Sequence, residues 1–122
     1  LKETTSTVFA GVNSGFNNLI RPMFYNSYHS IDNISNENAT QKIYTVDGNI
    51  CETDTFAADR KINEIREGDY LVFYNAGAYG FEMSSNFNSR LKPAEILVKE
   101  GKPALIRKRD EFEDLLKNQI VG

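Results

Sequence analysis

The chain has 122 residues, enough for one domain with a modest core and too few for two. Its formal charge of −3 and pI near 5.2 remove the electrostatic basis for binding nucleic acid or an anionic membrane, since both need a concentrated basic face. A single cysteine excludes an internal disulfide and fits a reducing compartment.

The N-terminus lacks the basic, apolar and small-residue regions of a signal peptide, and no apolar run approaches a membrane span, so a soluble cytoplasmic protein is expected. It starts at Leu1 rather than methionine, inside what reads as a strand, which suggests a piece of a longer protein. Residues 7–12 are β-branched and aromatic and end at Asn13-Ser14-Gly15, a strand running into a turn. Residues 16–20 suit one helical turn that Arg21-Pro22 should stop, because the residue before proline is pushed from the helical region. Residues 25–34 alternate loosely and residues 41–46 strictly, which suggests two antiparallel strands joined by the polar loop between them.

Asp47-Gly48 is a turn signal, Asn49-Ile50-Cys51 reads as a new extended piece, and residues 53–60 lack a period and read as an irregular loop. Gly68 turns the chain into Tyr70-Leu71-Val72-Phe73-Tyr74, whose near-continuous apolar run predicts a central strand. Gly77-Ala78-Tyr79-Gly80 follows, then a polar loop, a strand at residues 94–98, a turn at Glu100-Gly101-Lys102-Pro103 and a strand at residues 104–107. Asp110 reads as the N-cap of a last helix with Glu113 as the capping-box acid, and Arg107-Lys108-Arg109 as a solvated strand end. The fold class expected is all-β: an antiparallel β sandwich or barrel with a short C-terminal helix.

Three places carry chemistry. Two glycines bracket Tyr79, so the backbone there can turn sharply and approach a ligand while the ring is presented. Arg21 and Glu52 offer a guanidinium fork for a carboxylate and a carboxylate for an ammonium group, which together suit an amino-acid head; the plainer reading is two exposed surface charges. Cys51 is open to several roles, and burial in the core is the commonest fate of a free cysteine. With only His29 beside it in the composition, a metal site has little support. His29 itself reads as a packed or hydrogen-bonded residue, and Tyr28, Tyr44, Tyr70 and Tyr74 as core or strand-face aromatics.

Leu19-Ile20-Arg21-Pro22-Met23-Phe24-Tyr25, Cys51-Glu52-Thr53-Asp54, Gly68-Asp69-Tyr70-Leu71, and the run from Gly77 to Arg90 with Pro93-Ala94-Glu95 resemble, in order, the C-terminal β domain of the diaminopimelate decarboxylase family. The resemblance spans nearly the whole chain. It implies a pyridoxal 5'-phosphate enzyme with an alanine-racemase-like fold that converts meso-diaminopimelate to L-lysine and carbon dioxide. An N-terminal (β/α)8 barrel would carry the cofactor lysine and phosphate loop, and a homodimer would share its active sites. By position, Cys51 resembles the proton donor acting in the partner subunit's site, and Glu52 the acid that binds the far amino group. Arg21 and Tyr25 resemble residues that hold the far carboxylate, and Tyr79 the contact to cofactor phosphate and substrate. The chain alone is then expected to be one C-terminal β domain, inactive without its barrel. Asp54 falls one residue earlier than the family's usual acid, Asn13 replaces a common aspartate and Phe87 a frequent tyrosine. Related decarboxylases of carboxynorspermidine, ornithine or arginine are the rival readings within enzymes, and a stand-alone β module for binding or dimerisation the rival outside them.

Overall fold

The computed structural model describes residues 1–51 and 53–122. In chain order the strands are β1 (Lys2–Glu3), β2 (Val8–Gly11), β3 (Ile31–Asn33), β4 (Gln41–Asp47), β5 (Thr55–Asn63), β6 (Leu71–Phe73), β7 (Glu95–Lys99) and β8 (Lys102–Arg107). Among the described residues three short α-helices, α1 (Arg21–Tyr25), α2 (Gly77–Gly80) and α3 (Phe112–Leu116), and one 3-10 turn at Phe87–Ser89 accompany them. The all-β expectation holds, with sheets that stay open. One sheet has the order β1-β2-β4-β5, and β3-β6 and β7-β8 form two-stranded sheets. All pairs are antiparallel except β2 with β4, which run parallel.

The core lies between the four-stranded sheet and β3-β6. Ala10, Tyr44, Val46, Phe56, Ala57 and Ile62 face Ile31 and Leu19, and Phe73 of β6 meets Phe56 edge-on at 4.8 Å. Tyr44 is the one tyrosine of the four grouped above that is core; its hydroxyl accepts the Ile65 N–H at 2.8 Å, while Tyr28, Tyr70 and Tyr74 are exposed.

Several local expectations are corrected. The expected turn forms at residues 16–18, but Arg21 is helical rather than extended: α1 begins there with Pro22 in its first turn, because proline's missing N–H is one that a helix's first turn leaves free anyway. The strand within residues 25–34 pairs with β6 rather than with β4. Residues 53–60 belong mostly to β5, the longest strand. Its periodicity is hidden because Tyr44 pairs with Arg60 but Val46 with Ala57, so β5 carries an extra residue there, at a site where Asp59 takes φ 49°. A second extra residue follows between Ala57 and Thr55.

β6 is only Leu71–Phe73 in a two-stranded sheet, not a central strand. Its flanking tyrosines point into solvent, so aromatic character at its ends was surface rather than core. Residues 49–51 form bends instead of a strand. At the C-terminus, Asp110 accepts the Lys92 N–H at 3.0 Å, and the helix cap passes to Glu111 with Asp114 as its box partner. The turn at Glu100-Gly101 is as expected, with φ of 52° and 74° at its two residues, the pattern of a two-residue hairpin loop. The β7-β8 hairpin leaves Ile96, Leu97, Val98, Leu105 and Ile106 exposed; consecutive residues alternate faces, so both faces are bare.

Candidate functional site

Arg21 is the first residue of α1 and Tyr79 the third of α2. Although 58 positions apart in sequence, they meet: the Arg21 Cζ lies 5.4 Å from the Tyr79 ring centroid, within reach of a cation–π contact. Tyr79 is 55% exposed, as a presented ring should be. The reason differs from the one expected. Gly77 and Gly80 do not adopt positive φ, and a Cβ at either would meet nothing within 4 Å among the described residues. They leave open space beside Tyr79 rather than enabling a turn.

Tyr25 stands one helical turn after Arg21 on the same side of α1. Its ring packs edge-on against Phe24 at 4.8 Å and is otherwise open to solvent. The turn closes at Asn26, which takes the left-handed conformation at φ 54° and returns its N–H to the Arg21 carbonyl. Arg21, Tyr25 and Tyr79 therefore share one region built by α1 and α2.

Cys51 is exposed, which overturns the general expectation of a buried thiol. It follows Ile50, whose side chain is buried and whose N–H is held by Asp54. Among the described residues no hydrogen bond joins Cys51 to Arg21 or Tyr79. Their neighbourhoods are linked through loops: the Arg90 guanidinium donates to the Asn49 carbonyl at 3.2 Å, Phe16 packs on Phe87 at 5.0 Å, and the Ser85 N–H donates to the Asn17 carbonyl at 2.9 Å. Glu52, expected to bind an ammonium group, lies outside the described residues.

Asp54 is the residue that sequence reasoning missed. It had been noted only for its displaced position, yet its carboxylate is buried and accepts the Phe16 N–H at 2.6 Å and the Ile50 N–H at 2.8 Å. Burial pushes its carboxyl up from the usual aspartate value, with the two amides opposing that shift. The available signal was the pair of glycines, Gly15 and Gly48, in turns that approach the same point from different parts of the chain.

His29 is packed as expected, with Nδ1 2.9 Å from the Tyr74 carbonyl oxygen. Arg107, read as part of a solvated strand end, pairs with Glu95 at 2.6 Å and stacks 3.8 Å from the Phe81 ring centroid. A cavity of about 530 Å³ opens beside Leu1, Val12, Phe56 and Phe73 and includes none of Arg21, Tyr25, Cys51 or Tyr79. The candidate residues Arg21, Tyr25, Cys51 and Tyr79 therefore stand apart from that cavity.

Residues 1–77 match the family described as pyridoxal-dependent decarboxylase, C-terminal sheet domain. The diaminopimelate decarboxylase of Methanothermobacter thermautotrophicus is 52% identical over 116 residues, which is 93% of this chain and 27% of that protein. A solved structure of the Methanocaldococcus jannaschii diaminopimelate decarboxylase in complex with L-lysine superposes with a TM-score of 0.91 at 34% identity, covering 99% of this chain and 28% of that one. The lysine/ornithine decarboxylase of Vibrio vulnificus, solved with cadaverine, shares the fold at a TM-score of 0.63 and 18% identity over 72% of this chain and 24% of its own. The chain thus spans about a quarter of the length of these relatives.

Proposed function

Because the chain belongs to the family of pyridoxal-dependent decarboxylase C-terminal sheet domains, we propose that it completes the active site of a diaminopimelate decarboxylase, in which meso-diaminopimelate becomes L-lysine and carbon dioxide. The observation that carries this reading is the meeting of Arg21 with the exposed Tyr79 across 58 residues of sequence. Such a surface presents a cation and a phenol together, and the substrate would bring a carboxylate to the first and the cofactor a phosphate to the second.

The residues present fit part of a pyridoxal phosphate site. Tyr79 is more than half exposed, and the empty space at Gly77 and Gly80 lets an anion approach the backbone. When bound, the cofactor supplies an electron sink for cleavage of the carbon–carboxylate bond. This chain supplies the rest by binding and proton transfer. The Arg21 guanidinium forks onto the far carboxylate of the substrate, with the Tyr25 hydroxyl donating beside it. Glu52 receives the far ammonium group. Cys51 Sγ–H then delivers a proton to the carbon that has lost its carboxylate, and its exposed position suits a site assembled from more than this chain.

In this reading 1–122 is a single C-terminal β domain, an N-terminal barrel supplies the cofactor lysine, and two copies of the complete cytoplasmic enzyme share their sites. The bare faces of the β7-β8 hairpin support it, since an apolar hairpin of this kind calls for further protein to cover it. Among the described residues no helix is long and apolar enough to cross a membrane.

The test is Cys51→Ala in the complete enzyme, assayed for carbon dioxide release from meso-diaminopimelate and, for comparison, from ornithine, arginine and carboxynorspermidine. We expect turnover on meso-diaminopimelate alone in the parent and loss of about 100-fold or more in the variant, within the roughly 100- to 10,000-fold typical of a positioned proton donor. Near-normal turnover by Cys51→Ala would remove the thiol from the mechanism. Preference for one of the other three substrates would reassign the enzyme.

A further inference from the structure

We propose that Asp54 is a positioning residue for Cys51, its buried carboxylate pinning residues 14–16 and 48–50 together so that the thiol leaves an anchored turn. The proposal rests on the reading of Cys51 as proton donor.

Asp54 is 6% exposed. One carboxylate oxygen accepts the Phe16 N–H at 2.6 Å and the other the Ile50 N–H at 2.8 Å, while its own carbonyl accepts the Gly48 N–H at 2.7 Å. Between the same two turns, the Asn49 N–H donates to the Ser14 carbonyl at 2.8 Å. Among the described residues no cation forms an ion pair with Asp54; its carboxylate is held first by the two backbone amides, and the Arg90 guanidinium adds a smaller favourable charge. A buried carboxylate held by amides fixes where those amides are, because leaving either without an acceptor exposes a buried donor to the full desolvation penalty.

The surroundings are cut to fit this clamp. A Cβ on Gly48 would lie 2.1 Å from Asp54 Oδ2, and one on Gly15 would lie 3.0 Å from the same oxygen. Cys51 directly follows Ile50, whose amide and side chain are both held.

The clamp also reaches the other site-bearing segments. Phe16, whose amide it holds, packs on Phe87, and Asn17 accepts from Ser85, both downstream of Tyr79. Arg90 donates to Asn49 within the pinned turn, and residues 14–20 lead directly into Arg21. Of the three residues, Cys51 stands nearest the clamp, one position after the held Ile50, whereas Arg21 lies five positions after Phe16 and Tyr79 eight before Phe87, so loss of the clamp bears first on the thiol.

The test is a double-mutant cycle of Asp54→Asn and Cys51→Ala in the complete enzyme, with steady-state kcat and KM for meso-diaminopimelate and single-turnover carbon dioxide release for the slow variants. Asp54→Asn alone should lower kcat about tenfold or more with KM within about threefold, since a misplacement near 1 Å of a reacting group costs rate rather than binding. In the Cys51→Ala background the same substitution should change the rate by less than about twofold, because no thiol remains to be placed. A kcat for Asp54→Asn within about twofold of the parent, or an equal loss in both backgrounds, would overturn the positioning role. Should Asp54→Asn fail to fold, Asp54→Ser removes the carboxylate without adding volume and is read against the same limits. Normal turnover by Cys51→Ala overturns the proton-donor reading and this proposal with it, an outcome distinct from loss of coupling.

Discussion

Gly48→Ala isolates the clamp by steric means. Gly48 does not take positive φ, so its lack of a side chain serves space rather than conformation. An alanine Cβ would sit 2.1 Å from Asp54 Oδ2, 2.6 Å from Asp54 Cγ and 2.7 Å from the Ser14 carbonyl oxygen, all well inside van der Waals contact. None of these atoms is free to retreat. The carboxylate is held by the Phe16 and Ile50 amides, and the Ser14 carbonyl by the Asn49 N–H. Relief therefore requires breaking at least one charge-assisted hydrogen bond, worth about 1.5–3 kcal/mol, and about twice that if both are lost. Restricting the unfolded chain offsets about 0.4–1 kcal/mol. The net expectation is a destabilisation of about 0.5–2.6 kcal/mol if one bond is lost and about 2–5.6 kcal/mol if both are, read as a fall in the urea midpoint of the chain at unchanged slope. Gly11→Ala is the control: a Cβ there meets nothing within 4 Å, and its φ is not positive, so the midpoint should hold or rise. An unshifted midpoint for Gly48→Ala, or equal shifts for the two glycines, would refute the account of the clamp.

Two further outcomes concern the frame that carries the site. Tyr44→Phe should cost about 1–3 kcal/mol in urea unfolding, because the Ile65 N–H bonded to that hydroxyl at 2.8 Å is left buried without an acceptor; a loss below a few tenths would contradict the bond's role. The Asp69 carboxyl is held below the usual aspartate value, first by the Asn33 side-chain amide at 2.9 Å and then by Arg66. Since the folded-state value is the lower one, Asp69 stabilises the chain above the unfolded-state value, and this is lost as pH falls through the folded-state value. Asp69→Asn should therefore show its largest deficit in melting temperature near neutral pH, and the gap to the parent should narrow on acidification. A pH-independent gap would show that the carboxylate's charge contributes nothing.

How much of this protein could be read from its residues depends on the distance over which each feature is decided. The strict alternation of residues 41–46 marked β4, and Glu100-Gly101 marked the β7-β8 hairpin, because side-chain alternation and left-handed turn residues are local properties. The motifs around Arg21, Cys51 and Tyr79 marked the family, since each is a contiguous run of residues. β5 escaped notice because the bulge at Asp59 is an agreement with β4 and leaves no period within the strand itself. β6 looked central because a run of apolar and aromatic residues does not disclose that its sheet has only one other strand. The same limit governs the site. Sequence alone supplied a cation, a phenol and a thiol in separate motifs, whereas only tertiary structure brought Arg21 against Tyr79, exposed Cys51, and set the Asp54 carboxylate on an amide 38 positions away. Those arrangements follow from how open sheets and loops pack across the chain, and no short window of residues contains that packing.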